Sequence, residues 1–254
     1  MDSLYHYTKF DVLDSMLKNN EIWLGNLQYM NDRKEISYFF ERLENSVVVA
    51  CPGKEQDIRD LFSKQKERLQ NQNGYVFSLS KNSDDAAQWA RYANNGYGVC
   101  IKFNGGIISN LVKKNGYLQE IFYVGNVDNH QMTAIIVVYI LEHGLSNGFN
   151  SIDGVFDNAW ACSMSYKHPS FISENEKRII TSPIWCREYE MKYDASINSL
   201  REFMAIKLDM SEAIEEIIIG PKSEVEIEML KRYMTSINEK LSKVKVSVSE
   251  CPLR

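Results

Sequence analysis

Two kinds of segment alternate irregularly along this chain, and their order limits the folds that it can adopt. Residues 75–80 and 97–103 are rich in β-branched and aromatic side chains, which is typical of strands. Residues 55–70 instead carry apolar side chains at helical spacing, among them Ile58 and Leu61. A doubly wound parallel sheet would need strict alternation of strands and helices, which the chain lacks. We therefore expect an α+β fold.

The same patterns predict the other elements. Strands are predicted at residues 4–7, 21–24, 75–80, 97–103, 116–124, 178–181, 203–208, 217–219 and 244–249. Helices are predicted directly after Thr8, which we expect to be the capping residue, and at residues 32–44, 55–70, 84–93 and 223–241. No linker, repeat or low-complexity tract divides the chain. We expect one domain over residues 1–254 with a helical insertion at about residues 126–165.

Composition argues against several classes of protein. A net charge of −5 and a pI near 5.5 do not fit a wide basic surface that coats nucleic acid. Five cysteines form no C-x-x-C pair and no zinc-spaced cluster, as is typical of reduced thiols in the cytosol. The N-terminus shows no secretion signal, and the apolar run at residues 132–141 is half of the roughly 20 residues that span a bilayer. We expect a cytoplasmic protein that contacts no membrane.

The first group of candidate site residues lies at the start of the chain. His6 stands between Tyr5 and Tyr7 and is followed by Thr8 in the strand-helix transition. Its ring can hydrogen-bond a ligand hydroxyl, while the tyrosines offer stacking faces with a polar tip. A histidine at the edge of the core, with a partner of its own, is the alternative interpretation.

The second group is the polar stretch of Tyr29, Asn31 and Asp32, with Glu35 close behind. These side chains can bind a ligand in a turn-rich loop. An Asx turn followed by a helix cap is the commoner use of such residues, and it stays open as the alternative.

The third group combines Ser78 and Ser80 with two aromatic residues. Trp89 and Tyr92 are three residues apart on one predicted helical face, so both can meet the same surface. That surface is either a ligand platform or the core. No G-x-G-x-x-G fingerprint follows, and the chain has no P-loop, G-x-S-x-G or H-E-x-x-H motif.

The fourth group contains Lys167 and a pair of carboxylates, Glu174 and Glu176. Two residues apart on an extended strand, the carboxylates would point to the same side and repel each other unless a cation, a hydroxyl or a metal lies between them. A solvated acidic edge paired with Lys177 and Arg178 is the alternative.

Taken together, these segments resemble the bacterial domain-of-unknown-function family numbered 2971. The resemblance rests on seven short motifs in the same order along the chain. They are residues 5–8, 31–35, 78–80, 89–93, 98–103, Lys167 with residues 174–178, and residues 214–220. The layout of that family is similar to ADP-ribosyltransferases of the His-Tyr-Glu kind, which implies a split, mostly antiparallel mixed sheet with peripheral helices.

The resemblance also implies a substrate and a set of roles. In that superfamily a first-strand His or Arg holds the ribose of NAD, an aromatic residue stacks on nicotinamide, and a late Glu binds the ribose. It thus implies that Glu176, Glu174 and His6 are catalytic. The NAD-binding residues that it implies are His6, Tyr7, Thr8, Tyr29, Asn31, Ser78, Trp89, Tyr92, Lys167 and Arg178. The stacking residue stays open among Tyr7, Tyr29, Trp89 and Tyr92.

We therefore expect an NAD-dependent ADP-ribosyltransferase that acts on a macromolecular target, by analogy a toxin or a phage-defence effector. Two alternatives remain. One is a nucleotide or nucleic-acid hydrolase with a divalent metal held by Asp32, Glu174 and Glu176. The other is a non-catalytic sensor that binds a nucleotide and signals to a partner. Neither the acceptor nor the oligomeric state follows from the sequence.

Overall fold

The structure is a computed structural model that describes residues 3–29, 33–69, 72–123, 138, 152–196 and 199–253. The chain divides into two compact units. The first unit consists of Met1–Asn26, Tyr75–Glu120 and Ser173–Arg254, and the second of Leu27–Gly74 and Ile121–Ile172. Part of the predicted insertion at about residues 126–165 lies outside the described residues, and its remainder belongs to the second unit.

The sheet of the first unit branches at β3 (Tyr75–Ser80). One edge of β3 pairs along its whole length with β8 (Glu176–Thr181), which also pairs with β5 (Tyr117–Glu120). The other edge pairs with β1 (Leu4–Thr8) at its C-terminal end and with β2 (Glu21–Asn26) at its N-terminal end. The sheet therefore continues from β3 in two directions.

One branch runs from β1 through β4 (Val99–Phe103) and β11 (Ile214–Ile219) to β12 (Lys245–Val248). The other runs from β2 through β10 (Ser199–Lys207) to β9 (Glu190–Ser196). Every pairing among these described strands is antiparallel except that of β11 with β12. The prediction of an α+β fold with a mostly antiparallel mixed sheet is confirmed.

The helices flank this sheet or form the second unit. Those with described bounds are α1 (Phe10–Asn19), α2 (Arg33–Ala50), α3 (Glu55–Leu69), α4 (Ala86–Tyr92), α5 (Gly105–Asn115), α6 (Asp153–Ser163), α7 (Met210–Ala213) and α8 (Ile227–Ile237). In the second unit, α2, α3 and α6 pack through aromatic side chains such as Phe40, Phe62 and Phe156. That unit also contains β6 (Phe122–Tyr123) paired with β7 (Tyr166–Lys167).

The two faces of the sheet differ in what they bury. Leu4, Phe77, Ile101 and Ile179 lie on one face and pack into the main hydrophobic core with residues of α1, α5 and α8. We call this the core face. Because successive side chains of a strand alternate between faces, the neighbours of these residues point to the opposite side, where α4 packs against β1.

Two local predictions about helix starts differ in outcome. Thr8 does not cap α1, because it is the last residue of β1 and pairs with Val99; Lys9 takes the cap position without a side-chain hydrogen bond. The predicted start of α4 is close to the observed one. There the carboxylate of Asp85 accepts a hydrogen bond from the N–H of Gln88 and caps the helix. Among the described residues, no helix is long and apolar enough to cross a membrane.

Candidate functional site

Polar side chains from β3 and β8 meet on the face opposite the core face. Ser78 pairs directly with Arg178, and Ser80 pairs directly with Glu176. Residues that pair across antiparallel strands place their side chains on the same face. We call this surface of β3 and β8, with the part of α4 that contacts it, the polar face.

Glu176 and Arg178 form a buried ion pair on the polar face. The Nε of Arg178 donates to Oε1 of Glu176 at 2.7 Å, and its Nη2 donates to Oε2 at 3.3 Å. The side chains are 6 % and 1 % exposed. A two-point, charge-assisted contact of this kind fixes the orientation of the carboxylate. The alternative interpretation paired these two residues at a solvated edge, whereas the pair is buried.

Glu174 is also buried, but its carboxylate turns toward α4. Its side chain is 3 % exposed, and Oε1 accepts hydrogen bonds from Nη1 of Arg91 at 2.8 Å and from the hydroxyl of Tyr92 at 2.9 Å. The main-chain carbonyl of Glu174 accepts from Ser80 at 2.9 Å and from Gln88 at 3.3 Å. The position of Glu174 is thus fixed by β3 and α4 together.

The sequence predicted that the two carboxylates lie on one extended strand, but the structure shows that they do not. β8 begins at Glu176, and Asn175 adopts a left-handed conformation with φ 45°. Asn tolerates this conformation better than most residues. The turn at Asn175 sends Glu174 to Arg91 and leaves Glu176 to Arg178, so each carboxylate has its own arginine.

Arg91 and Tyr92 bring a cation and an aromatic ring to the surface. The Arg91 side chain is 45 % exposed and Tyr92 is 44 % exposed, although both contact the buried carboxylate of Glu174. A buried anion that holds an exposed guanidinium and a ring orients both for a ligand that carries negative charge and a flat ring. Sequence reasoning missed Arg91, because its role depends on its proximity in space to Glu174.

The structure separates the aromatic candidates. Trp89 is fully buried and donates from Nε1 to Asp84 at 2.6 Å. Tyr7 is buried edge-on against Trp89, with 5.0 Å between ring centroids, and donates its hydroxyl to the carbonyl of Asn82. Burial raises the pKa of Tyr7 well above its usual value. Both are core residues, whereas Tyr92 is half-exposed; the side chain of Tyr29 lies outside the described part of the chain.

His6 lies on the core face and not with the carboxylates. It pairs with Ile101, its ring stacks on Phe77 at 4.2 Å between centroids, and Nδ1 donates to the carbonyl of Ser78 at 2.9 Å. Burial lowers the pKa of His6 to about 4, so the ring is neutral at pH 7. Since Phe77 and Ser78 point to opposite faces, the structure does not bring His6 together with Glu176. Its surroundings fit the alternative of a core histidine.

The remaining candidates fall in three places. Thr8 is buried at the end of β1, and Ser78 is partly buried on the polar face. Lys167 is buried in β7 of the second unit, with Nζ 4.9 Å from the centre of the Phe171 ring. Asn31 and Asp32 lie outside the described residues. Within the described ranges, no group of three or more His, Cys, Asp or Glu side chains could hold a metal ion.

Comparison with known proteins adds one finding. Residues 88–179 match the model of a family described as protein of unknown function (DUF2971). The resemblance seen in the sequence motifs is confirmed over this range, which includes Arg91, Tyr92, Glu174 and Glu176. No curated protein and no solved structure matches the chain.

Proposed function

We propose that this chain is an NAD-dependent ADP-ribosyltransferase that acts on a macromolecular target, and that NAD binds at the polar face. The observation that carries the proposal is the pair of buried carboxylates, Glu174 and Glu176, each held by an arginine. Arg91 and Tyr92 extend this cluster to the surface. The cluster combines charge, an aromatic ring and hydroxyl groups, which are the groups that NAD recognition needs.

Glu176 supplies the electrostatic part of the proposed chemistry. Cleavage of the bond between nicotinamide and ribose develops positive charge at the anomeric carbon, as in glycoside hydrolysis. A buried carboxylate close to that carbon stabilises the transition state more than the ground state. Arg178 fixes the orientation of the Glu176 carboxylate, while Ser78 and Ser80 lie on the adjacent strand of the same face.

Arg91 and Tyr92 supply the binding part. The guanidinium of Arg91 can pair with a phosphate of NAD, and the ring of Tyr92 offers a stacking face to nicotinamide. Glu174 then acts as a positioning residue for both, since its Oε1 accepts a hydrogen bond from each of them. This differs from the catalytic role that the resemblance implied for Glu174.

Nicotinamide release tests the proposal. The purified chain is incubated with NAD, with and without cell lysate as a source of acceptor, and wild type is compared with Glu176→Gln. We expect release by the wild type and a loss of about 100-fold or more in the variant. Glu202→Gln is the matched control, because Glu202 is a carboxylate that accepts hydrogen bonds from Asn26, Tyr75 and Tyr193. Thermal unfolding checks that each variant is folded.

A second function is favoured by one feature of the same site. The guanidinium of Arg178 neutralises much of the field of Glu176, which suits binding without turnover. A non-catalytic nucleotide sensor would bind NAD without releasing nicotinamide, and Glu176→Gln would lower the affinity for NAD rather than a reaction rate.

The metal-dependent hydrolase is distinguished by activity that requires a divalent cation and no NAD. Release of nicotinamide by the wild type and not by Glu176→Gln would exclude both.

A further inference from the structure

The first unit contains a second concave site at the C-terminal end of α5. Its volume is about 950 Å³, which is in the range of small-molecule sites. We call it the α5 pocket, and none of its lining residues belongs to the polar face. It is lined by Glu21, Lys113, Lys114, Asn115, Trp185, Arg187, Glu188, Tyr189, Glu190, Ala205, Ile206 and Lys207.

The segment that carries Trp185 is fixed against the end of α5. The N–H groups of Trp185 and Cys186 both donate to the carbonyl of Ser182 at 3.0 Å, which forms a tight turn. Cys186 then contacts the side chain of Asn115 at 3.5 Å, and the hydroxyl of Thr181 donates to the carbonyl of Asn115. These contacts pre-form one wall of the pocket.

Aromatic surface is exposed on that wall. The ring of Trp185 is partly buried and contacts Tyr117 edge-on, with 5.3 Å between centroids. Tyr189, four residues further on, is 39 % exposed. A flat ligand ring can stack on such side chains, since every nucleobase has a π-face and the aromatic side chains lose little entropy on binding.

Exposed cations lie in the same pocket as the aromatic wall. Lys113 and Lys114 are exposed in the last turn of α5, and Arg187 is exposed beside Trp185. Lysines at a helix C-terminus also complement the helix dipole, so they would indicate little without the rings. Their presence with Trp185 and Tyr189 in one pocket is the combination that selects a ligand with both a phosphate and a ring.

A buried carboxylate closes another side of the pocket. Glu21 is 2 % exposed and accepts hydrogen bonds from Lys207 at 2.9 Å and from Nε1 of Trp23 at 2.8 Å. Burial opposes ionisation of Glu21, but these hydrogen bonds outweigh it and hold the pKa of the carboxyl below its usual value. The pocket therefore has acceptors as well as cations: Glu21, which its partners hold in place, and the exposed Glu188 and Glu190.

We propose that the α5 pocket binds a nucleoside phosphate. The base stacks on Trp185 and Tyr189, the phosphate pairs with Lys113, Lys114 and Arg187, and amino groups of the base donate to the carboxylates. Two sources share this chemistry: a free nucleotide, and the phosphorylated end of an oligonucleotide.

Calorimetric titration of the full chain distinguishes these sources. One arm uses ATP and the other a short 5′-phosphorylated oligonucleotide. We compare the wild type with the Lys113→Glu/Lys114→Glu double variant and with Trp185→Leu. The control is Lys64→Glu, which changes an exposed lysine on α3 outside the pocket. We expect affinity to fall about 10-fold or more in the double variant and about 5-fold or more in Trp185→Leu, and to stay within about 2-fold of wild type in the control.

The polar-face variant Glu174→Gln separates this proposal from the proposed function. ATP affinity that survives Glu174→Gln and falls in the lysine double variant supports the α5 pocket, even if the chain releases no nicotinamide. If only the 5′-phosphorylated oligonucleotide binds, and the pocket variants lose that binding, the α5 pocket is supported and its ligand is the end of a nucleic-acid strand. The proposal is wrong if neither probe binds at millimolar concentration, or if the pocket variants bind like the wild type. Because Lys113 and Lys114 are exposed, the double variant tests the site even if Trp185→Leu does not fold.

Discussion

The core face and the polar face of the central strands bury ionisable groups in opposite ways. On the core face, His6 is neutral at pH 7. Its ring packs on Phe77, and its Nδ1–H donates a hydrogen bond to the backbone carbonyl of Ser78. On the polar face, the side chain of Glu176 is buried beside Arg178, which donates two hydrogen bonds to it. Burial alone therefore does not decide whether a group keeps its charge; a partner of opposite charge does.

This difference decides which sequence candidates remain in the site. A charged group retained in the interior costs desolvation free energy, so it marks a place where ionic chemistry or ligand recognition is worth testing. His6 does not carry this cost, because its ring is neutral at pH 7 and its Nδ1–H is hydrogen-bonded. Glu174 and Glu176 are such groups, and Glu174 also contacts the part-exposed side chains of Arg91 and Tyr92.

The largest expected effect comes from breaking the ion pair on the polar face. Arg178→Met leaves Glu176 buried without its arginine, and we expect it to lower the free energy of unfolding by about 3–5 kcal/mol. The double variant Arg178→Met/Glu176→Leu should recover most of that loss. Unfolding in guanidinium chloride measures the free energy of unfolding of the wild type and of both variants.

The exposed pair of Lys18 and Asp14 on α1 is the matched control. Lys18→Met should change the free energy of unfolding by less than about 1 kcal/mol, because solvent screens that pair. An Arg178→Met protein as stable as the Lys18→Met protein would show that the buried pair does not hold the polar face together.

On the core face we expect a smaller effect on the free energy of unfolding, and this effect depends on pH because it comes from His6. Burial lowers the pKa of His6 to about 4 in the folded chain from the usual histidine value of 6.5. As pH falls below 6.5 the unfolded chain therefore binds a proton first, and stability is lost between pH 6.5 and pH 4. Between pH 7 and pH 4.5 this amounts to about 2–3 kcal/mol. Urea unfolding at both pH values should show the loss in the wild type and a correspondingly smaller loss in His6→Gln; equal losses would contradict the neutral histidine.

The smallest effect on stability concerns Tyr92. Its hydroxyl donates to the buried carboxylate of Glu174, but the residue is half-exposed and Arg91 donates to the same oxygen. We expect Tyr92→Phe to lower the free energy of unfolding by about 1 kcal/mol. Ser247→Ala, which removes another partly buried hydroxyl that donates to a carboxylate, is the comparison. A loss of 3 kcal/mol or more in Tyr92→Phe would mean that Tyr92 supports the fold rather than a ligand.

Local patterns predicted much of the fold. β3 lies where its run of aromatic and β-branched residues predicts it, and α4 starts two residues after its predicted start at residue 84, with Asp85 as its cap. β9, which pairs along β10, was not predicted. Its sequence, EMKYDAS, alternates between polar and apolar side chains over its whole length, which is typical of a strand with one exposed face, so the signal was present in the sequence and was missed.

The candidate site was predicted in part. Glu174 and Glu176 were found from their spacing, but the left-handed turn at Asn175, which separates them, depends on contacts that are distant in sequence. The face of His6 was not predicted either, because β1 has two tyrosines on one face and Leu4, His6 and Thr8 on the other, so neither set is clearly the more apolar. The role of Arg91 could not be predicted from the sequence, because it depends on a contact with Glu174, which is 83 residues further along the chain.

NAD affinity of one variant from each face tests the central claim most directly. Calorimetric titration compares wild type with Tyr92→Leu on the polar face and His6→Gln on the core face. The account predicts that the wild type binds NAD, that Tyr92→Leu weakens binding about 5-fold or more through lost stacking, and that His6→Gln stays within about 2-fold of the wild type. Loss of NAD binding in a folded His6→Gln protein together with unchanged binding in Tyr92→Leu, or no NAD binding by the wild type, would contradict it.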